Sequence, residues 1–281
     1  MLSFNGQLVS RKDFCLSTAN RAFRYGDGFF ESMRVHHSTA MWQKYHYQRI
    51  NKSVAALHLN MPDEWSEEYF TLSIKSLFNA NHKPESVARV RFSVFRNDGG
   101  LYTPFTNNAS FLIESETLDH ENYVLNTKGI TVLPYPDLKK AFNILSPLKS
   151  INAQLYVLAS IYKRNLGFGD ALILNEDGFI AEATSSNVFL YRSGKLLTPA
   201  LSQACVEGVM RAVIIDIAHQ QGIPIIETNI SLDDLASAEE MFLTNAVQGI
   251  RWVKEFKGKR FGNEVAARLT DQLNERAMKC P

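Results

Sequence analysis

The stretch from Ser146 to Leu190, SPLKSINAQLYVLASIYKRNLGFGDALILNEDGFIAEATSSNVFL, constrains the chain more than any other. Leu155, Leu158, Ala159 and Tyr162 recur at three and four residues, the period that turns one helical face to a core. Gly167 and Gly169 punctuate the run. ALIL then reads as a short apolar strand, NEDG as a turn and NVFLY as a return strand. Helix and strand periods in such close succession suit an α/β or α+β chain.

Two residues in this stretch carry chemistry. Lys149 stands between a proline and the helical run, and Glu182 stands in the turn between two strand-like runs. The spacing allows both to face one cavity. A pyridoxal phosphate enzyme needs an amine to hold the cofactor's aldehyde and an acid to keep its ring nitrogen protonated. Residue type and spacing alone favour a solvated lysine and a surface glutamate.

The chain ahead of this stretch alternates elements. SFNGQLV turns at Gly6 as a hairpin, and NRAFRYGDGFFESMRV passes from a Gly26-Asp27-Gly28 turn into a strand. Trp42–His58 has a helical period with Tyr45, Ile50, Val54 and Leu57 on one stripe and basic and amide residues opposite. Pro62–Asn81 reads as a second amphipathic helix. SVARVRFSVFR then alternates Arg89, Arg91, Ser93 and Phe95 against Val90, Phe92 and Val94. An inward arginine is costly without a partner, so Arg91 or Arg96 is a candidate for a substrate carboxylate. The polar run ETLDHENYVLNTKG places a linker at 119–128, between a domain over 1–118 and another over 129–281. Beyond the central stretch, LSQACVEGVMRAVIIDIAHQQGI has a helical period with Gly208 at its start and Gly222 at its end. PIIETNI and EMFLTN read as strands.

With 30 basic and 29 acidic side chains in 281 residues, the net charge of +1 gives no field that would draw nucleic acid or a membrane surface. No window approaches the ~18 apolar residues of a membrane span. Cys15, Cys205 and Cys280 have neither metal nor disulfide spacing, which suggests reduced thiols in the cytoplasm and no metal centre.

KSINAQLYVLA with EATSSNVFLY resembles the class IV aminotransferase family, the fold-type IV pyridoxal phosphate enzymes. YGDGFFESMR, HYQR, GVMR and TNA resemble its other motifs in order, over about residues 20 to 250. The resemblance implies a smaller N-terminal α/β domain, a larger C-terminal α/β pseudo-barrel, the cofactor in the cleft between them, and a homodimer acting on a small amino-acid substrate. It makes Lys149 the Schiff-base lysine and Glu182 the partner of the pyridine nitrogen. Arg49 and the amides of Val209, Met210, Asn245 and Ala246 become phosphate ligands. Ser32 becomes a proton-delivering hydroxyl, and Tyr25, Phe30, Arg91 and Arg96 become substrate-facing. Within the family, the K-S-x-N segment, TNA and Ser32 look more like aminodeoxychorismate lyase than an amino acid aminotransferase. The segment Arg96–Tyr102 departs from the lyase pattern by lacking its second arginine. A non-catalytic relative keeping the fold as a binding module is the further alternative.

Overall fold

The structure is a computed structural model that describes residues 1–279, and Cys280 lies outside the described residues. The chain divides into two compact units. The first holds Met1–Glu121 together with Leu148–Asn152, and the second holds Asn122–Pro147 and Ala153–Lys279.

The first unit contains β1 (Leu2–Phe4), β2 (Gln7–Val9), α1 (Arg21–Tyr25), β3 (Gly28–His36), β4 (Thr39–Ala40), α2 (Gln43–Ala56), α3 (Glu67–Asn81), β5 (Val87–Arg96) and β6 (Ala109–Thr117). Its six strands form an antiparallel sheet in the order β2-β1-β6-β5-β3-β4. Asn5 and Gly6, both at positive φ, make the tight turn between β1 and β2, the turn whose twist matches that of paired strands. The period of two along β3 sends Phe29, Met33 and Val35 into a core shared with Val90, Phe92, Phe111 and Ile113. Phe70, Ile74, Leu77 and Phe78 of α3 cover that core. Helix α3 begins at Glu67 rather than Pro62, because Pro62–Trp65 closes a turn and Ser66 caps the helix through the Tyr69 amide.

One expectation for α2 is corrected. Its buried positions are His46, Arg49, Ile50 and Ser53, so basic side chains face inward rather than outward. The cause lies on β3, where Glu31 occupies the core-facing register between Phe29 and Met33. A carboxylate there is tolerable only with partners, and α2 supplies them.

The second unit contains β7 (Ile130–Pro134), α4 (Gln154–Asn165), β8 (Asp170–Leu174), β9 (Ile180–Ala183), β10 (Asn187–Arg192), β11 (Lys195–Pro199), α5 (Val209–Gln220), β12 (Ile225–Thr228), α6 (Asp234–Ser237), β13 (Glu240–Asn245), β14 (Gly249–Phe256), β15 (Lys259–Arg260) and α7 (Glu264–Lys279). Eight strands run in the order β12-β11-β10-β13-β14-β7-β8-β9, and β15 adds to β14. The sheet is mixed: β7 and β8 pair in parallel across the α4 crossover, and β11 and β12 do so across α5. It curls so that β9 packs back against β10 and β11, giving a pseudo-barrel filled by Val132, Leu172, Val188, Met241, Leu243 and Val253. Among the described residues no helix is long and apolar enough to cross a membrane.

Two further readings are corrected here. Glu182 lies inside β9, not in a turn, because IAEA pairs with β8 opposite Ile173. On α4 the inward side chains are Leu155, Tyr156, Ala159 and Tyr162, while Leu158 stands 45% exposed.

Gly28 explains why the turn before β3 tolerates no side chain. A Cβ there would run into the Val94 carbonyl oxygen of β5, with Phe95 Cα 3.0 Å away. Gly28→Ala should therefore lower stability by about 1–3 kcal/mol. Equilibrium urea unfolding followed by tryptophan fluorescence reads this, and an unchanged midpoint would contradict the close packing.

Candidate active site

In the first unit the candidate residues gather around β3. Residues 148–152 lie extended beside its start: the Phe30 amide donates to the Lys149 carbonyl at 2.9 Å and the Ile151 amide to the Gly28 carbonyl at 3.1 Å. This pairing sets Lys149 Nζ 4.5 Å from the centre of the Phe30 ring. The same ring carries the Arg91 guanidinium at 3.8 Å. Ser32 and Arg91 are direct partners across β3 and β5. An amine, an aromatic ring, a hydroxyl and a guanidinium thus share the sheet face opposite the core. Burial lowers the pKa of Arg91 and Glu114 only partly opposes this, so its cation gains from an added anion.

Arg96 has no such opening. Its Nε donates to Asp27 at 3.0 Å, and its terminal nitrogens donate to Asn107 at 2.6 Å and to the Leu57 and His58 carbonyls at 2.8 and 3.3 Å. Asp27 also accepts from Arg21 Nε at 2.7 Å. The glycine-flanked aspartate is therefore the anchor of two structural arginines. Tyr25 ends α1, with its ring 5.6 Å from that of Tyr102.

On the core face, Glu31 holds Arg49 side-on: Nε donates to Oε1 at 2.7 Å and Nη2 to Oε2 at 2.6 Å. His46 Nδ1 lies 2.6 Å from Glu31 Oε2. Burial alone would raise the Glu31 pKa, yet the charges and hydrogen bonds of Arg49 and His46 outweigh it and bring it down to about 2. Burial lowers the His46 pKa against the pull of Glu31. A neutral imidazole then donates from Nδ1, and its buried Nε2 has no hydrogen-bond partner in the structure.

In the second unit Glu182 is 3% exposed and accepts at every contact. Lys140 Nζ and the Tyr156 hydroxyl donate to Oε1 at 2.6 and 2.7 Å, and the Val206 amide donates to Oε2 at 3.0 Å. Burial and the nearby carboxylate push the Tyr156 phenol upward, so it stays a donor. The same causes push the Cys205 thiol up to about 12, which keeps it unreactive.

Val209 and Met210 form the first turn of α5, where no side chain caps the helix. Gly208 precedes them because a Cβ there would collide with the Asn187 amide oxygen. Asn187 lies opposite Thr244 in the sheet, and the buried Thr244 Oγ1 lacks a hydrogen-bond partner. Asn245 is tied to Ser186 at 3.1 Å, and its side-chain oxygen accepts from the Val247 and Gln248 amides. The Ala246 carbonyl accepts from Tyr123. An uncapped helix start beside an unpartnered hydroxyl suits an anion. Sequence reasoning misses Lys140, Tyr156 and the Thr244 hydroxyl: the first two lie on unremarkable basic and helical runs, and the TNA motif points to backbone amides.

The family model described as Amino-transferase class IV matches residues 28–256. A protein of Methanocaldococcus jannaschii described as a branched-chain-amino-acid aminotransferase is 29% identical over 97% of this chain and 93% of its own. The fold superposes on the branched-chain aminotransferase from Thermoproteus uzoniensis, solved with norvaline, with a TM-score of 0.89 and 21% identity over 99% of this chain and 94% of that one. It superposes on the 4-amino-4-deoxychorismate lyase from Pseudomonas aeruginosa with a TM-score of 0.84 and 24% identity over 98% of both chains. The chain is a class IV aminotransferase-family enzyme.

The Glu31 cluster carries a pH signature. Its folded pKa of about 2 lies below the ordinary 4.5, so the stabilisation is complete above 4.5 and is lost as pH falls from there towards 2. The shift corresponds to about 3 kcal/mol. Glu31→Gln, which leaves Arg49 without its carboxylate, should cost about 3–5 kcal/mol at pH 7. It should also flatten the acid limb of a urea-midpoint profile between pH 4.5 and 2. A variant keeping the wild-type limb would assign that limb to other carboxylates.

Proposed function

We propose that this chain is a pyridoxal 5′-phosphate-dependent amino acid aminotransferase that passes an amino group to a 2-oxo acid. The observation that carries the reading is the Phe30 ring with the Lys149 amine 4.5 Å and the Arg91 guanidinium 3.8 Å from its centre. That is the equipment for an α-amino acid: a cation for the carboxylate, one ring away from the amine that handles protons. The residues present fit the cofactor, since the Thr244 hydroxyl is buried without a partner and the first turn of α5 is uncapped. When bound, pyridoxal phosphate supplies an electron sink for the pair left at Cα.

The chain's own residues do the rest. Lys149 Nζ would hold the cofactor's aldehyde, and as a free amine it would take and return the Cα proton. Glu182 would accept from the pyridine nitrogen, and Lys140, Tyr156 and the Val206 amide fix the direction in which its oxygens point. The Val209 and Met210 amides and the Thr244 hydroxyl would hold the phosphate, with Arg49 as the charged ligand and the Asn245–Ala246 turn beside them. Arg91 takes the substrate carboxylate, and Tyr25 and Phe30 supply apolar walls. Arg96 leaves this set because Nε and both terminal nitrogens donate within the fold, whereas Glu31 holds Arg49 through Nε and Nη2.

Two observations favour an aminotransferase over the lyase that the K-S-x-N segment suggests. The M. jannaschii relative is described as a branched-chain-amino-acid aminotransferase. Ser32, the hydroxyl a lyase would use as proton donor, has no side-chain hydrogen bond among the described residues to aim it. The proposed assembly is a homodimer in the cytoplasm; Leu101, Tyr102 and Phe105, 75–88% exposed, are apolar surface suited to a second copy.

The deciding experiment supplies leucine or D-alanine with 2-oxoglutarate, and separately aminodeoxychorismate. Keto-acid formation without 4-aminobenzoate is expected, and the reverse result overturns the aminotransferase reading. Ser32→Ala should change transamination less than about tenfold, whereas removing a general acid costs 10²–10⁴-fold. Lys149→Ala should abolish turnover and the visible band that borohydride bleaches. Residual activity within about tenfold of wild type, ~1.4 kcal/mol in barrier, would remove Lys149 from the mechanism.

A further inference from the structure

At the far end of β3 from Gly28, the strand turns through His37 and Ser38, both at positive φ (47° and 61°), into β4. Asn-Gly is the inexpensive sequence for such a turn, and an imidazole held there costs backbone energy. His36, His37 and Glu121 meet at this corner, each offering one donor atom, with all three donors within 4.8 Å of one another. The His36 and His37 rings are 4.0 Å apart. His36 Nε2 lies 3.1 Å from a Glu121 carboxylate oxygen, yet this buried nitrogen makes no hydrogen bond. These two donor atoms stand close enough together to share one ion.

The Arg34 guanidinium lies near this corner, and it donates to the His120 carbonyl.

We propose that His36, His37 and Glu121 form a binding site for a first-row divalent transition-metal ion, with Zn²⁺ the best match. Two imidazoles and a carboxylate are ligands zinc takes at about 2.0–2.2 Å, with a fourth position left to water. Tetrahedral donors at that bond length stand about 3.4 Å apart. The His36–Glu121 pair already meets this, and the exposed side chains of His37 and Glu121 need only rotate inward. The ion would tie Glu121, at the end of the first unit's long segment, to the β3–β4 hairpin.

Calorimetric titration of Zn²⁺ into the cofactor-loaded enzyme tests this, in a Cys15→Ser, Cys280→Ser background that removes two further thiol ligands. One ion per chain is expected. His36→Ala, His37→Ala and Glu121→Gln should each weaken binding at least about tenfold, as losing a ligand costs no less than losing a residue that supports one. His37 and Glu121 are exposed, so their variants fold even if His36→Ala does not. Co²⁺ should give visible d–d absorption in the parent protein that vanishes in the variants. Equal affinity in all four proteins, or no saturable binding by ~1 mM Zn²⁺, overturns the site.

Discussion

The first unit is built around a charge where a hydrocarbon would be expected. Glu31 points into the core between Phe29 and Met33, and its carboxylate is tolerable only because α2 brings Arg49 and His46 to it. Helix position, register and electrostatics are coupled by this demand. A slip of β3 by one residue would put Glu31 in the polar layer and Phe30 in the core. Arg49 and His46 would then be buried without an anion. The cluster specifies the docking of α2 on the sheet more strictly than apolar packing could, since oil has no preferred direction and a bidentate guanidinium does.

That docking sets up two faces with different work. The core face of β3 is rigid and charge-paired. The opposite face displays Phe30 and Ser32, against which Arg91 and the Lys149 segment are laid. The second unit repeats the idea with one buried acid and several donors. Glu182 sits in β9 with an ammonium, a phenol and an amide all pointing at it. Both acids are therefore acceptors of fixed orientation before any ligand arrives, and preorganisation of this kind is what a polar site contributes to catalysis.

The sequence discloses these parts unevenly. Lys149, Glu182, Arg49 and the GVMR segment stand out as candidates because each sits in a short local pattern. What surrounds them cannot, because the partners are remote: Lys140 is 42 residues from Glu182 and Tyr156 is 26. Periodicity locates β3, β5, α2 and α5 well. It misassigns the inward face of α2, since a hydrophobic stripe counts Arg49 and His46 as outward. It misjudges Leu158 because Leu155, Ala159 and Tyr162 already satisfy the packing of α4. Arg91 and Arg96 look alike in the strand. Only the loop carbonyls of Leu57 and His58, far off in sequence, separate the structural arginine from the one facing the open layer.

The chain leaves the first unit at Glu121 and comes back for five residues, Leu148–Asn152. Those five residues fill the hydrogen bonds along the start of β3 and bring the amine with them. The two units are consequently not separable at any single peptide bond. A gene fragment ending at residue 121 would encode the sheet without its lysine, and one beginning at 122 would encode the lysine without the strand that orders it. Recombination that swaps whole domains has no clean seam here, so the halves of this enzyme are bound to evolve as one piece.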